Sequence, residues 1–303
     1  MKIVFLGTPD FAVASLKAII DNNFDVVAVV TAPDKPAGRG MHIQYSPVKK
    51  YALEKNIPVL QPLKLKDEEF VKKLKSYQAD LQVVIAFRML PELVWNMPKL
   101  GTVNLHASLL PDYRGAAPIN WAIINGETET GVSTFFLKQD IDTGDIIMSK
   151  KVAITDEMNA GELHDILMHT GAEVIVETLK AIESSSYQTT PQKSESNKNA
   201  PKIFTEHCKI DWNIEGEKIR NIVRGMSPYP GAFTELNGKI LKIFECSFIA
   251  DTEIKKQPGQ VFTDGKNFMK FSCKNGWIDL KSVQLSGKKR MNIVELLRGY
   301  RLQ

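Results

Sequence analysis

Apolar positions along this chain recur with two different periods. Residues 2–7 form a short apolar run that stops at Gly7-Thr8-Pro9. From about Phe11 to Asp21, the residues Ala12, Leu16, Ile19 and Ile20 fall on one face of a helix. Val26 to Thr31 is a second continuous apolar run, as expected for a strand buried on both faces. Strand, helix and strand in this order predict an α/β fold with a doubly wound, mostly parallel, Rossmann-like sheet. The same reading places helices from Ser46 to Lys55 and from Glu68 to Tyr77, and a short strand at Val59-Leu60. Leu81 to Ala86 is apolar throughout, as in a central strand, and runs into Phe87-Arg88-Met89-Leu90-Pro91. Val103 to His106 alternates with a period of two, so Asn104 and His106 share one face. A short helix is expected from Pro118 to Asn125 and a strand from Gly131 to Leu137. A long helix is expected from Asn159 to Ser184, with Leu163, Ile166, Leu167, Val174, Ile175 and Leu179 periodic.

The pattern then changes. Residues 184–201 are rich in Ser, Gln, Thr, Asn, Lys and Pro and poor in apolar side chains, which is the composition of a linker. Beyond them, a helix leading to Gly225 precedes short alternating segments near 232–236, 239–249, 260–263, 267–272 and 276–284. Asn237-Gly238, Asp264-Gly265 and Asn275-Gly276 separate these segments as hairpin signals. Short strands joined by such turns predict a small OB-like β-barrel. The expected organisation is therefore a catalytic domain over 1–184, a linker over 185–202 and a barrel over 203–303.

Composition adds three constraints. Cys208, Cys246 and Cys273 are odd in number and widely spaced, which argues against a disulfide framework and a structural zinc site. No apolar run is long enough to span a membrane. The start is too short for a secretory signal, so a cytoplasmic protein without membrane contact is expected. The net charge of +4 is unevenly placed: residues 202–303 carry 18 Lys/Arg against 11 Asp/Glu, a net of +7. A basic C-terminal third fits a polyanion partner, and it equally fits a solvated basic surface.

Candidate chemistry gathers where strands end. In open α/β sheets, ligands bind beyond the carboxyl ends of the strands. The stretch Asn104-Leu105-His106-Ala107-Ser108-Leu109-Leu110-Pro111 ends at such an edge. An amide and an imidazole on one face can hold an oxyanion and move a proton, although two satisfied polar residues at a strand end would look the same. Asp142-Thr143-Gly144-Asp145 is a tight turn that can bring a carboxylate to the same edge, or simply cap its own backbone. Pro33 to Gly40 holds two prolines, two glycines, Lys35 and Arg39, and reads as a basic loop. A single glycine in the first turn gives a dinucleotide site little support, and there is no Walker lysine.

Taken in order, Gly7-Thr8-Pro9-Asp10-Phe11-Ala12, Pro33 to Gly40, Asn104 to Pro111, Arg114-Gly-Ala-Ala-Pro-Ile119, Asp142 to Asp145, Met226 to Phe233 and Gly287 to Met291 resemble the methionyl-tRNA formyltransferase family over nearly the whole chain. The resemblance implies transfer of a formyl group from 10-formyltetrahydrofolate to the amino group of methionine on initiator tRNA. It requires no metal. It puts Asn104, His106 and Asp142 at the three catalytic positions, with Asn104 and protonated His106 donating to an oxyanion and Asp142 orienting the ring. Ser108, Leu109, Leu110 and Pro111 match the folate-contacting segment. Lys35 and Arg39 match a loop that reaches the tRNA. The chain departs from the family at Phe87-Arg88-Met89-Leu90, where a smaller, Gly-containing turn is usual, and Phe87, Met89 and Leu90 are still expected to border the folate. A monomer is expected. A formyltransferase acting on an amino-sugar nucleotide is the alternative on the same fold, and the basic loop argues against it. A non-catalytic RNA-binding module is a further alternative, against which the intact trio speaks.

Overall fold

The computed structural model describes residues 1–37, 42–192, 196, 198–251, 253 and 255–299. In chain order the elements are β1 (Lys2–Gly7), α1 (Asp10–Asp21), β2 (Asp25–Val30), β3 (Lys35–Ala37), β4 (His42–Gln44), α2 (Pro47–Glu54), β5 (Val59–Leu60), α3 (Glu68–Ser76), β6 (Leu81–Ile85), α4 (Glu92–Trp95) and β7 (Thr102–His106). Then come β8 (Arg114–Gly115), α5 (Pro118–Ile124), β9 (Glu129–Phe136), β10 (Ile146–Ala153) and α6 (Ala160–Glu183). The remainder holds β11 (Asn199–Ala200), α7 (Gly216–Gly225), β12 (Ala232–Leu236), β13 (Lys239–Ala250), β14 (Val261–Thr263), β15 (Met269–Cys273), β16 (Gly276–Leu285), β17 (Met291–Asn292) and α8 (Ile293–Gly299). These residues pack as two compact units. One comprises Met1–Gly115, Thr130–Val152 and His164–Lys198; the other comprises Ala116–Glu129, Ala153–Leu163 and Asn199–Gln303.

The first unit is built on a seven-stranded sheet in the order β10-β9-β7-β6-β1-β2-β5. Strands β5, β2, β1, β6 and β7 are parallel, and β9 runs antiparallel to β7. The chain winds from β1 outward to β5 and then returns to β6 on the other side of β1. This puts the switch point, where such sheets open a crevice, between β1 and β6. Val4, Leu6, Ala28, Val30 and Val84 pack against Phe70 and Leu74 of α3 and Val94 of α4. The side chains between them in sequence face the other way, as the period of a strand requires. The helices carry their own end signals. Asp67 caps α3 by accepting from the Phe70 N–H at 3.0 Å, and Ser46 caps α2, with Pro47 in its first turn.

Several elements lie outside the sequence pattern. Half of β10 is exposed, as in an edge strand, and its three polar residues fall together, so its periodicity carries no signal. The hairpin of β3 and β4, the one-turn α4 and the C-terminal α8 are too short to show a period. In the Pro33–Gly40 loop, Lys35 is exposed and pairs with Gln44 across the hairpin, while Arg39 lies outside the described residues.

In the second unit, β12, β13, β16, β15 and β14 form an antiparallel sheet in that order, with β17 added on β16. This is the small OB-like part of the fold. Asn237 and Gly238 form the two-residue loop between β12 and β13, with φ of 48° and 72°. That is the backbone an Asn-Gly hairpin turn adopts. The Asn275-Gly276 signal is displaced by one residue: Cys273 pairs with Gly276, so Lys274 and Asn275 make the loop. The core of this unit gathers Ile219 and Val223 of α7, Leu241, Ile243, Phe271, Ile278 and Leu280 of the sheet, and Leu296 and Leu297 of α8. Trp212 stacks on Phe271 with ring centroids 4.6 Å apart.

Gly131 on β9 sits where a Cβ would come within 2.2 Å of the Lys150 carbonyl oxygen and 2.6 Å of the Leu109 side chain. Backbone cannot yield at that spacing. Gly131→Ala is expected to destabilise the protein by about 1–3 kcal/mol, read as a lowered midpoint in thermal or urea unfolding. An unchanged midpoint would contradict the close approach.

Candidate active site

His106 ends β7 and is 7% exposed. Its Nε2 lies 2.8 Å from the carbonyl oxygen of Tyr113. A carbonyl only accepts, so Nε2 carries a hydrogen in either charge state of the ring. Nδ1 is therefore the nitrogen with the free lone pair when the ring is neutral. It faces Asp142 Oδ2 at 3.8 Å. That separation exceeds the 2.7–3.2 Å typical of a hydrogen bond. The two groups are thus neighbours with room for a proton to arrive at Nδ1. Asp142 is held in place by the Gly115 N–H, which donates to Oδ2 at 3.1 Å.

Asn104 lies two residues before His106 and on the same face, half-buried. Along a strand this puts the two Cα atoms roughly 7 Å apart. No hydrogen bond among the described residues engages the Asn104 side-chain amide. Both N–H donors of that amide remain free for a ligand. The structure thus brings His106 and Asp142 together and sets Asn104 beside His106 on the strand.

The remaining candidates divide. The Ser108 hydroxyl is fully buried and donates to the Asp112 carbonyl at 2.6 Å, so it is already used internally. Ser133 lies opposite His106 across β7 and β9. Its hydroxyl donates to the Ser108 carbonyl at 2.8 Å and accepts from the Leu110 N–H at 3.2 Å, tying residues 108–110 to the sheet. Leu110 is buried and Leu109 half-buried, and the latter packs on Gly131. Met89 and Leu90 border a hollow of about 760 Å³, together with Leu65, Lys66, Pro91, Glu92 and Leu93. Phe87 and Ser108 to Pro111 are not among the residues lining it. Phe87 is half-buried against the α3 and α4 side of the core. Arg88 turns back and donates to the carbonyls of Leu63, at 2.9 Å, and Pro62.

Three non-glycine residues around this edge have left-handed backbones: Ala86, Tyr113 and Asp142, with φ of 48°, 60° and 53°. Residues in that region cost stability and are held there by their surroundings, and they concentrate at functional sites. Ala86 holds this backbone with a Cβ, a cost that glycine would not carry. Gly144 permits the Asp142 turn, because a Cβ there would lie 1.6 Å from the Phe136 carbonyl oxygen.

One residue at the edge has no signal in the sequence pattern. Gln192, in the polar stretch read as a linker, donates through Nε2 to the carbonyls of Asp142 (2.9 Å) and Gly144 (2.6 Å). Its Oε1 accepts from Nε and Nη2 of Arg114 at 3.1 and 2.6 Å. Nothing in composition marks a single glutamine among Ser, Thr and Lys as different from its neighbours. Among the described residues, no group of three or more His, Cys, Asp or Glu is placed to hold a metal ion. No helix among them is long and apolar enough to cross a membrane.

Comparison with known proteins agrees over both parts of the chain. Residues 1–179 match the family model described as formyl transferase, and residues 202–301 match that of the formyl transferase C-terminal domain. The chain is 51% identical over 311 residues to a methionyl-tRNA formyltransferase of Bacteroides fragilis, covering 100% of this chain and 96% of the relative. It is 53% identical over 304 residues to one of Flavobacterium johnsoniae, covering 99% and 96%. Among solved structures it is similar in fold to WlaRD, a sugar 3N-formyl transferase crystallised with dTDP and 5-N-formyl-THF. That likeness has a TM-score of 0.70 and 21% identity, and covers 95% of this chain and 99% of WlaRD.

Replacing Ser133 by Ala strands the Leu110 N–H and the Ser108 carbonyl inside the protein. Each unsatisfied buried group costs about 1–3 kcal/mol. Ser133→Ala should lower the urea midpoint accordingly, while Ser133→Thr, which keeps the hydroxyl, should lower it less. Equal losses for the two variants would mean that bulk, not hydrogen bonding, matters at this position.

Proposed function

This chain belongs to the methionyl-tRNA formyltransferases, and from that membership we infer that it transfers the formyl group of 10-formyltetrahydrofolate to the amino group of methionine on initiator tRNA. The product is the N-formylmethionyl-tRNA used to start translation. The observation that carries the assignment of residues is the His106 ring held at Nε2 by a carbonyl, with Nδ1 facing a carboxylate at 3.8 Å.

In the transfer, an amine adds to a formyl carbon, negative charge develops on the formyl oxygen, and a proton leaves the amine for the departing nitrogen. The free Asn104 amide supplies a donor for that oxygen. His106 takes the proton at Nδ1, directly or through water, because Nε2 is occupied by Tyr113. The ring then carries positive charge, with the Asp142 carboxylate 3.8 Å from the nitrogen that took the proton. Charged, the ring adds to the field that stabilises the oxygen. No metal is needed for any of these steps.

The hollow bordered by Met89 and Leu90 has the size of a small-molecule site and is mainly apolar, with Lys66 and Glu92 at hand for polar groups. This supports Met89 and Leu90 as donor contacts, with Phe87 behind them. Ser108 to Pro111 act through shape: Ser133 pins them next to His106, and the Ser108 hydroxyl, the Ser108 carbonyl and the Leu110 N–H are bonded internally. Lys35 and Arg39 belong to the basic loop assigned to the tRNA. The basic residues between 202 and 303 are assigned to the same partner, with residues 1–184 as the catalytic domain and 185–202 as the connection. The protein is read as a cytoplasmic monomer.

Activity is tested by supplying 10-formyltetrahydrofolate with methionyl initiator tRNA, with an amino-sugar nucleotide, or with water alone. Formyl transfer is expected only to the tRNA; preference for the sugar nucleotide would overturn the substrate. Loss of one oxyanion donor costs about 100- to 1000-fold in rate. Asn104→Ala should show a loss of that size in kcat with little change in KM, and unchanged turnover would remove Asn104 from the reaction. Tightness of tRNA binding should fall steeply with salt, because each phosphate contact releases a condensed counterion. Salt-independent binding would remove the basic surface from the tRNA interface.

A further inference from the structure

We propose that Gln192 is a positioning residue for the formyl transfer, fixing the Asp142 carboxylate opposite His106 Nδ1. The proposal rests on the reading of His106 and Asp142 given above and adds a residue that this reading does not need. Its basis is a closed circuit of hydrogen bonds. The Asp142 carboxylate accepts from the Gly115 N–H. Arg114, the preceding residue, donates twice to Gln192 Oε1. Gln192 Nε2 donates back to the carbonyl of Asp142 itself and to that of Gly144. Both ends of the carboxylate's support, the turn that carries it and the strand that grips it, are therefore referenced to one side-chain amide.

A side chain with two donors and one acceptor in a single plane is what this circuit requires. A carboxylate could keep the Arg114 contacts but has no hydrogen for the two carbonyls, and an ammonium could serve the carbonyls but not Arg114. The Asp142 backbone lies in the left-handed region at φ 53°, so the turn depends on outside contacts to hold its shape. Neighbours of Gln192 on the same stretch bond the strand after the Asp142 turn and, through Tyr113, the residue that holds His106. Thr190 exchanges backbone hydrogen bonds with Ile146 at 2.8 and 2.9 Å. Ser196 donates to Asp112 at 2.7 Å. The Lys198 carbonyl accepts from the Tyr113 N–H at 2.7 Å, and the Tyr113 carbonyl is the one that holds His106 Nε2.

The test is a double-mutant cycle with purified full-length protein, reading kcat and KM for the folate donor and for methionyl-tRNA, with thermal unfolding alongside. Gln192→Ala is expected to lower kcat by roughly tenfold or more, since small misplacements of catalytic groups cost that much. KM for both substrates should stay within about twofold of wild type. In an Asp142→Ala background the same change should cost less than about twofold, because the group it positions is gone. Gln192→Glu, which preserves size and the Arg114 contacts, should be as slow as Gln192→Ala. It carries the comparison if the alanine variant does not fold. Equal losses in the two backgrounds, a loss confined to KM or to the unfolding midpoint, or full activity of Gln192→Glu would each overturn the positioning role while leaving the catalytic reading intact. Wild-type turnover by Asp142→Ala alone would instead overturn the catalytic reading itself.

Discussion

A backbone carbonyl and an imidazole nitrogen 2.8 Å apart set the terms for this site. His106 is almost wholly buried, and a buried polar ring must be satisfied. Spending Nε2 on the Tyr113 carbonyl satisfies it and leaves Nδ1 as the nitrogen that faces Asp142. The left-handed Tyr113 backbone is what turns that carbonyl toward the ring. The tautomer of His106 is thus determined by a backbone conformation seven residues further along the chain.

Around this bond the architecture is mostly a matter of bringing separate loops to one edge. Parallel β6 and β7 end side by side, so Ala86 and His106 leave the sheet close together. β9 runs back along β7, placing Ser133 opposite His106, where its hydroxyl locks residues 108–110. Gly144 then lets the following turn pass within contact of Phe136, and Asp142 arrives beside the ring. The Ser133 hydroxyl and the missing Cβ of Gly144 are what the last two of these steps require.

The second unit follows a different logic. Its sheet is antiparallel, its hairpins are local, and its core is closed by α7 and α8. Arg220 shows how the unit handles a buried charge. Arg220 is 7% exposed, and its guanidinium pairs with Asp156 at 3.0 Å and Glu157 at 2.7 Å. This pairing holds the Asp156 carboxyl below its ordinary range, chiefly through the hydrogen bonds from Arg220. Arg224 is satisfied by backbone carbonyls of Thr155 and Met158 instead. Two of the basic residues counted in the C-terminal third therefore spend their charge inside this unit.

How much of this was legible in the residues depends on how local each signal is. The βαβ opening, the central strands, the long α6, the Asn237-Gly238 hairpin and the shared face of Asn104 and His106 are all visible as short periods or turn chemistry. Such features are dictated by neighbours along the chain. The motif order was enough to identify the family and, by resemblance, to assign Asn104, His106 and Asp142 their roles. Only the folded chain decided that Ser108 spends its hydroxyl internally, that Phe87 stands behind the hollow while Met89 and Leu90 line it, and that His106 presents Nδ1 to Asp142. It also decided that Gln192, lost in a polar stretch, touches the turn of Asp142. Those facts join residues far apart in sequence through single hydrogen bonds. A hydrogen bond leaves no periodic trace, because it depends on the position of one atom and not on the pattern of many side chains.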